Sequence, residues 1–504
     1  MQRILIVGGG TSGWMTATAL SKLLLREQGA RHWKIELVES EQIGTIGVGE
    51  ATIPAIKAYN TMLGLSEDEL LRATQGSFKL GIEFVDWGRL GERYFHGFSP
   101  IGRDLDGISF HHYWLRLRQA GLAADIAEYS INSMAPLEAR FMRARPDMAG
   151  SPLAEIAHAF HFDASLYAKM LRQKSEAMGV TRIEGRITEV TRHENGHIRS
   201  LKLEGDRELV ADFFIDCSGL HGLLIEKTLQ AGFEDWGHWL PCDRALAVPC
   251  ESVSPLLPYT RSTAREAGWQ WRIPLQHRIG NGLVYCSEYM DDEAARHTLL
   301  SNLDGKPLAD PRPIRFRAGR RRTSWIGNCV AIGLASGFLE PLESTSIHLV
   351  QSAVTRLLDL FPRQGLDAAD IAEYNRQTEH EIHRIRDFIV LHYKLTARDD
   401  TPFWRRCRDM SVPDTLMEKL DLFASNGRIM HVDNELFHEP SWLQVMLGQG
   451  LMPRGYHPMA DIRPLELVRD FAEDIRGVVK RCLPHMPPHG DYVRQVCAAP
   501  LPPH

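Results

Sequence analysis

Ile4-Leu5-Ile6-Val7-Gly8-Gly9-Gly10-Thr11-Ser12-Gly13-Trp14 stands at the head of the chain and decides its fold. The four apolar residues read as a short strand buried on both faces. Gly8, Gly10 and Gly13 follow in G-x-G-x-x-G spacing, and Trp14 to Leu24 reads as a helix. Gly8 permits a tight turn, Gly10 lets the backbone approach a pyrophosphate, and Gly13 allows the helix to close on the strand. The helix start, with Thr11 and Ser12 in the loop before it, offers N–H groups and partial positive charge to phosphates. A second strand, Lys34-Ile35-Glu36-Leu37-Val38-Glu39, ends in a carboxylate suited to a ribose hydroxyl. Glu39 lies 26 positions beyond Gly13, close to the roughly 20 of the dinucleotide fingerprint. Strand, loop, helix and acid together predict dinucleotide binding, whereas a ligand-free glycine turn explains only one of the four.

Two later segments favour FAD over NAD. Ala211-Asp212-Phe213-Phe214-Ile215-Asp216-Cys217-Ser218-Gly219 is a buried strand ending in Asp and small residues, and Trp325 to Gly333 holds another strand and glycine. Strands of this form return to the dinucleotide in two-domain flavoproteins. No second G-x-G-x-x-G is present, so nothing indicates a separate nicotinamide domain. The expected class is α/β: a Rossmann-like, two-domain FAD-binding flavoprotein of the aromatic-hydroxylase kind, with a helical C-terminal substrate region.

The bulk properties exclude other classes. The 504 residues are 44% hydrophobic and 24% charged, with a formal net charge of -6 and no dense Lys/Arg run. No nucleic-acid surface is expected from that balance. No apolar run nears the ~20 residues of a membrane helix, and no signal-peptide pattern precedes Ile4, so a cytoplasmic protein is expected. The eight cysteines form no C-x-x-C pair and read as reduced thiols. Despite 22 histidines there is no H-E-x-x-H, and His111-His112 reads as a packing or hydrogen-bonding pair rather than a metal site.

Five ordered motifs make the chain resemble the flavin-dependent tryptophan halogenases. They are Gly8-Gly-Gly-Thr-Ser-Gly-Trp-Met-Thr-Ala17, Gly47-Val48-Gly49-Glu50-Ala51-Thr52-Ile53-Pro54, Phe78-Lys79-Leu80-Gly81, Trp269-Gln270-Trp271-Arg272-Ile273-Pro274 and Pro341-Leu342-Glu343-Ser344-Thr345. The W-x-W-x-I-P pattern is the most diagnostic, since related aromatic hydroxylases lack it. The resemblance implies reduced FAD from a separate flavin reductase, O2, and chloride or bromide as co-substrate. Hypohalous acid made at the flavin then travels inside the protein to a small aromatic substrate such as an indole. A homodimer is the leaning of the family.

The same resemblance assigns residues. Lys79 would be catalytic, donating to the hypohalous oxygen or forming a haloamine, although a lysine in that sequence read alone is a solvated side chain. Glu343 would take the proton leaving the ring, and could equally be a helix-start carboxylate. Ser344 or Thr345 is a natural N-cap for the apolar stripe Ile347, Val350, Val354, Leu357 and Phe361. The backbone at Thr345 and Ser346 would face a halide there. Ala51, Ile187 and Gly333 join the glycine loop and Glu39 as cofactor contacts. His96, Phe98, Trp269, Trp271 and Ser344 would border the substrate; the alternating tryptophans share a face if they lie on a strand.

The likeness weakens towards the C-terminus. That third reads as mostly helical, from Ala368 through Asp399 and again from Leu465 onward. Tryptophan-specific relatives use a tyrosine pair, a glutamate and a Phe-Trp here. Asn434-Glu435-Leu436-Phe437-His438-Glu439-Pro440-Ser441-Trp442 has no such tyrosine pair, and either Glu435 or Glu439 could correspond to the glutamate. Without partners for a zwitterion, free tryptophan should be a poor substrate and neutral indoles better ones. The expected organisation is an FAD-binding core over 1–350, with a sheet-containing substrate module inserted at about 75–160 and 225–325. A helical region, 351–504, would complete the substrate site. Two other readings fit parts of the pattern: an aromatic hydroxylase of the same fold, and a non-catalytic FAD-binding protein.

Overall fold

The computed structural model describes residues 2–25, 33–42, 49–362, 365–432 and 434–500. Gly47 and Val48, at the start of the second motif, lie outside the described residues. The chain divides into two compact units, residues 1–76, 162–243 and 315–383 forming the first and residues 77–161, 244–314 and 384–504 the second.

In the first unit the opening strand Gln2–Val7 lies between Trp33–Glu39 and Phe213–Asp216. Both neighbours run parallel to it, and the sheet order is Trp325–Ile326, Cys329–Ala331, Phe213–Asp216, Gln2–Val7, Trp33–Glu39, Thr181–Glu184. The continuous apolar run of these strands follows from cover on both faces. Leu5, Val7, Val38 and Phe214 pack against Ile198, Leu201 and Leu203 of an antiparallel meander. On the alternate face Leu37 approaches Gly13 of the helix Thr11–Leu24. That helix begins at Thr11, not at Trp14 as its apolar residues implied, so its N-terminus reaches into the glycine loop. Thr18 Oγ1 joins it to Ser175 of the helix Ala164–Ala177 at 2.8 Å. Burying each such aliphatic side chain contributes about 1.5–3 kcal/mol.

The second unit is built on neighbouring strands in the order Arg244–Cys250, Ile279–Tyr285, Gly268–Pro274, Thr260–Arg265, Gly81–Val85, Arg93–Gly97. The pairs are antiparallel except Thr260–Arg265 with Gly81–Val85. A short strand, Ser77–Lys79, pairs with 159–161. Helices surround the sheet, among them Phe110–Gln119, Pro402–Asp409, Asp414–Asn426 and Glu439–Gly448. The long helix Ala368–Lys394 stops five residues before the expected Asp399. The chain must leave it so that Ala397 N–H can donate to Gly88 O and Thr401 can cap Pro402–Asp409 through Trp404 N–H. All eight cysteines are buried and none is joined in a disulfide. Among the described residues no helix is long and apolar enough to cross a membrane.

Glu50 sits in the strand Gly49–Ala51 of the first unit, and burial pushes its carboxyl up to about 7. A folded-state acid raised above its ordinary 4.5 keeps its proton where the unfolded chain has lost it. Stability therefore falls as pH rises from the lower value towards the upper. Glu50→Gln removes this term. In thermal unfolding without cofactor, the Tm of the variant minus that of the wild type should be larger at about pH 8 than at about pH 5; an unchanged difference would refute the assignment.

Candidate functional site

The glycine loop is shaped by steric limits on three sides and by space on the fourth. Gly8 has φ +110°, and a Cβ there would strike Cys217 O of the neighbouring strand. A Cβ on Gly13 would strike Gly8 O, and one on Gly9 would strike the Glu39 carboxylate. Gly10 is different: nothing lies within 4 Å of its would-be Cβ. A hollow of about 170 Å³ adjoins the loop, lined by Gly9, Thr11, Trp14, Glu39, Lys169 and Arg172 among others. An open approach at Gly10, a helix N-terminus, two nearby cations and a carboxylate fit a dinucleotide pyrophosphate and ribose.

The other expected cofactor contacts fall around this loop to different degrees. Gly333, at φ +70°, comes so close to Ser12 that a side chain would collide with its hydroxyl. Gly185 N–H donates to Glu39 O at 2.9 Å, which brings the start of the strand Ile187–Arg192 to the end of the Glu39 strand. Ile187 itself packs on the apolar core. Ala51 is buried ahead of the helix Ile56–Leu63, whose Tyr59 hydroxyl donates to Met15 O of the loop helix. Asp216 uses its carboxylate on backbone N–H groups of Ser218, Leu224 and Ile225. It shapes the chain rather than presenting an acid to a ligand.

Glu343 closes the short turn Pro341–Glu343 and is fully buried, as is Glu340. Ser344 follows in the left-handed region at φ +61°, a conformation costing a non-glycine residue on the order of 1 kcal/mol. That kink aims the chain into the helix Ser346–Asp359, with Thr345 at the N-cap position. The expected side-chain cap is not made: Thr345 has φ -90° and ψ -9°, not the extended backbone from which a cap hydroxyl reaches back to the helix N–H groups. Its Oγ1 is instead buried without a hydrogen-bond partner. An unmatched hydroxyl at a helix N-terminus suits a small anion.

In the second unit Lys79 ends the strand Ser77–Lys79 with no exposure at all. The residue after it is clamped from three directions. Leu80 N–H donates to Pro258 O at 2.7 Å, and Leu80 O accepts from Phe98 N–H at 3.1 Å and Asn132 Nδ2 at 3.0 Å. A Cβ at Gly81 would hit His96 O, so glycine lets the two strands close here. The Lys79 Nζ stands 5.3 Å from the centre of the Phe98 ring, and the His96 and Phe98 rings are 6.4 Å apart. Gln444 holds the His96 strand by bonding both N–H and C=O of Gly97. Beyond His96 the wall continues through Phe388 at 5.9 Å to Phe437, stacked on it at 3.9 Å, and Trp442 at 4.9 Å. Trp269 and Trp271 share a face, with ring centres 6.1 Å apart. Trp269 is packed beside Trp87, while Trp271 lies across Gly282, where any side chain would displace it.

The model of the family described as tryptophan halogenase matches residues 3–464. The chain belongs to the tryptophan halogenase family. It is 34% identical to tryptophan 7-halogenase RebH of Lentzea aerocolonigenes over 98% of each chain. Among solved structures it resembles Xcc4156, a flavin-dependent halogenase from Xanthomonas campestris, with TM-score 0.95 and 48% identity over 100% of this chain and 99% of that one. BrvH, a flavin-dependent halogenase from Brevundimonas sp. BAL3, gives TM-score 0.94 and 45% identity over 99% of each. The chain is thus an α/β enzyme with the Rossmann-like FAD-binding architecture of the flavin-dependent halogenases.

Within this family member the expected residues fall into two groups, one per unit. The loop glycines, Thr11, Ser12, Glu39, Gly333 and the segment Glu343 to Ser346 belong to the first; Lys79, His96, Phe98, Trp269 and Trp271 belong to the second. Both candidate glutamates of the C-terminal stretch turn out to be engaged by the chain itself. Glu435 pairs with Lys419 Nζ at 3.0 Å and Arg384 Nε at 3.8 Å. Glu439 accepts from Ser109 and faces His111 at 3.2 Å. Burial raises Glu439, but the bond and charge of His111 outweigh it and leave the carboxyl below its usual range. Phe388, Lys419 and Arg384 were not singled out in the sequence; Phe388 sits in the apolar stripe of a long helix and carries no local signal.

Lys419 also lies 4.9 Å over the Trp442 ring, so it holds a buried carboxylate and an aromatic at once. Lys419→Met should cost about 3–5 kcal/mol, because it leaves Glu435 buried with its nearest charge removed. Urea unfolding would read this as a lower midpoint at unchanged m-value; a change below about 1 kcal/mol would refute it.

Proposed function

We propose that the chain is an FAD- and O2-dependent halogenase that places chlorine or bromine on a neutral, electron-rich arene of the indole class. The observation that carries this is the buried Lys79 ammonium facing the aromatic wall of Phe98, His96, Phe388 and Phe437. A lysine is seldom fully buried without a task for its charge.

Residues of the first unit fit the cofactor. Gly8, Gly10, Gly13, Thr11 and Ser12 would hold the FAD pyrophosphate, Glu39 the ribose, and Ala51, Ile187 and Gly333 other parts of the molecule. Reduced FAD, supplied by a separate flavin reductase, provides with O2 the oxidation of halide to hypohalous acid. Thr345 Oγ1 and the backbone at Thr345 and Ser346 would hold the halide, as the buried unmatched hydroxyl supports. Lys79 donates a proton to the hypohalous oxygen. The carbon–halogen bond forms as the oxygen–halogen bond breaks, and the oxygen leaves as water. The ring proton passes to a carboxylate, a role carried over to Glu343 on the family resemblance, and Ser344 borders the same segment. On the family resemblance, Trp269 and Trp271 would limit access of the arene to the cofactor.

The engaged state of Glu435 and Glu439 supports a neutral substrate, because an incoming amino-acid ammonium meets no uncompensated carboxylate there. With FAD, flavin reductase, NADH and bromide, mass spectrometry should show indole halogenated at least about tenfold faster than free tryptophan. Lys79→Ala should lower halogenated product by about 100-fold or more while FAD binding persists. Full-rate product from that variant, or hydroxyindole formed at full rate without halide, would overturn the proposal.

A further inference from the structure

Beside Lys79 lies a buried relay that the mechanism above leaves unused. His161 is the cross-strand partner of Ser77, and Ser77 is two residues from Lys79 on one strand, so all three side chains share a face. His161 Nδ1 is 3.1 Å from Ser77 Oγ, and His161 Nε2 is 2.9 Å from Thr260 Oγ1. Ser77 Oγ also lies 2.6 Å from Pro274 O, the last residue of the Trp269 strand. His161 and Ser77 have no exposure, and Thr260 has 5%.

The proton directions follow from donor and acceptor chemistry. A carbonyl only accepts, so the single Ser77 hydroxyl proton is committed to Pro274 O. Ser77 Oγ must then accept from His161, which places a proton on Nδ1. In a neutral ring Nε2 is left as an acceptor, matched by the Thr260 hydroxyl. Burial pushes the His161 ring far below its usual range, and Lys79, His489 and Arg272 push the same way. His489 is itself neutral, lowered to about 4 by burial, accepting from Phe78 N–H and bonded to Leu256 O. Arg272 is paired with Asp304.

We propose that His161 is a positioning residue for Lys79: fixed as the neutral Nδ1–H tautomer between Ser77 and Thr260, it ties the Lys79 strand to the Thr260–Arg265 strand, leaves the Ser77 hydroxyl proton to Pro274 O, and keeps a second positive charge from the reacting ammonium. The inference rests on Lys79 as the proton donor to hypohalous acid. Its effect is on geometry at Nζ, where a displacement of about 1 Å costs up to about 100-fold in rate.

The test combines spectroscopy with kinetics on the full-length holoenzyme. With ¹⁵N-labelled histidine, the wild-type His161 ring should remain neutral with the proton on Nδ1 from about pH 5.5 to 8. A cationic ring or an Nε2–H tautomer overturns the proposal, and this measurement needs no variant to fold. His161→Phe should lower kcat for indole bromination about 10- to 100-fold, with the indole KM and FAD affinity unchanged. His161→Asn, which retains a donor for Ser77, should recover most of that loss. Equal kcat in His161→Phe, or no recovery in His161→Asn, overturns it. Lys79→Ala run alongside separates the two readings: halogenation by that variant defeats the Lys79 assignment, whereas its loss with His161→Phe fully active defeats only the relay.

Discussion

An ammonium shut away from water costs several kcal/mol unless its surroundings meet the charge, and Lys79 has no exposure at all. Much of the second unit can be understood from that requirement. The ring face of Phe98 offers a cation–π contact at 5.3 Å, worth about 2 kcal/mol when desolvated. The three bonds at Leu80 hold the backbone of the next residue in place. The nearby histidines His161 and His489 are both kept neutral, so burial adds no further imidazolium charge. A charge buried in this way is found more often at a working site than in an ordinary core.

The first unit works from a steric constraint instead. Gly8 and Gly13 are glycines because backbone atoms stand where a Cβ would be, and that closeness brings the strand, loop and helix into one turn. Gly10 has no such neighbour, so its lack of a side chain serves whatever approaches from outside. Two residues that read alike in sequence therefore have opposite reasons: one packs the fold and the other keeps a surface open. Asp216 shows the same division between appearance and use. An acid at the end of a buried strand suggests a ligand, yet its oxygens are occupied by three backbone N–H groups.

What the sequence made legible was whatever local chemistry determines. The opening strand, the glycine loop, Glu39 and the strand at Phe213 depend on neighbours in the chain or on a burial pattern visible in single residues, and they fall where expected. Strand register sets Ile82 opposite His96, and Phe98 just beyond that strand meets Lys79, an arrangement that short-range pattern also constrains. Thr345 takes the N-cap position that the sequence offered, but its hydroxyl makes no cap because its own backbone is helical rather than extended, which its identity does not announce. The end of the helix Ala368–Lys394 was overrun because the competing bond, Ala397 to Gly88, spans most of the chain.

The C-terminal glutamates show the limit most clearly and also explain the substrate reading. In sequence Glu435 and Glu439 are equivalent candidates for holding an ammonium. In the fold each already has its counter-charge or donor, and for Glu435 these come from Lys419 and Arg384, on separate helices. Breaking a buried pair is costly, so Glu435 stays with its partners. Phe388, Phe437 and Trp442 supply such faces without adding charge. Both carboxylates are thus engaged inside the fold, Glu435 by Lys419 and Arg384 and Glu439 by Ser109 and His111, and the aromatic faces beside them bring no charge of their own.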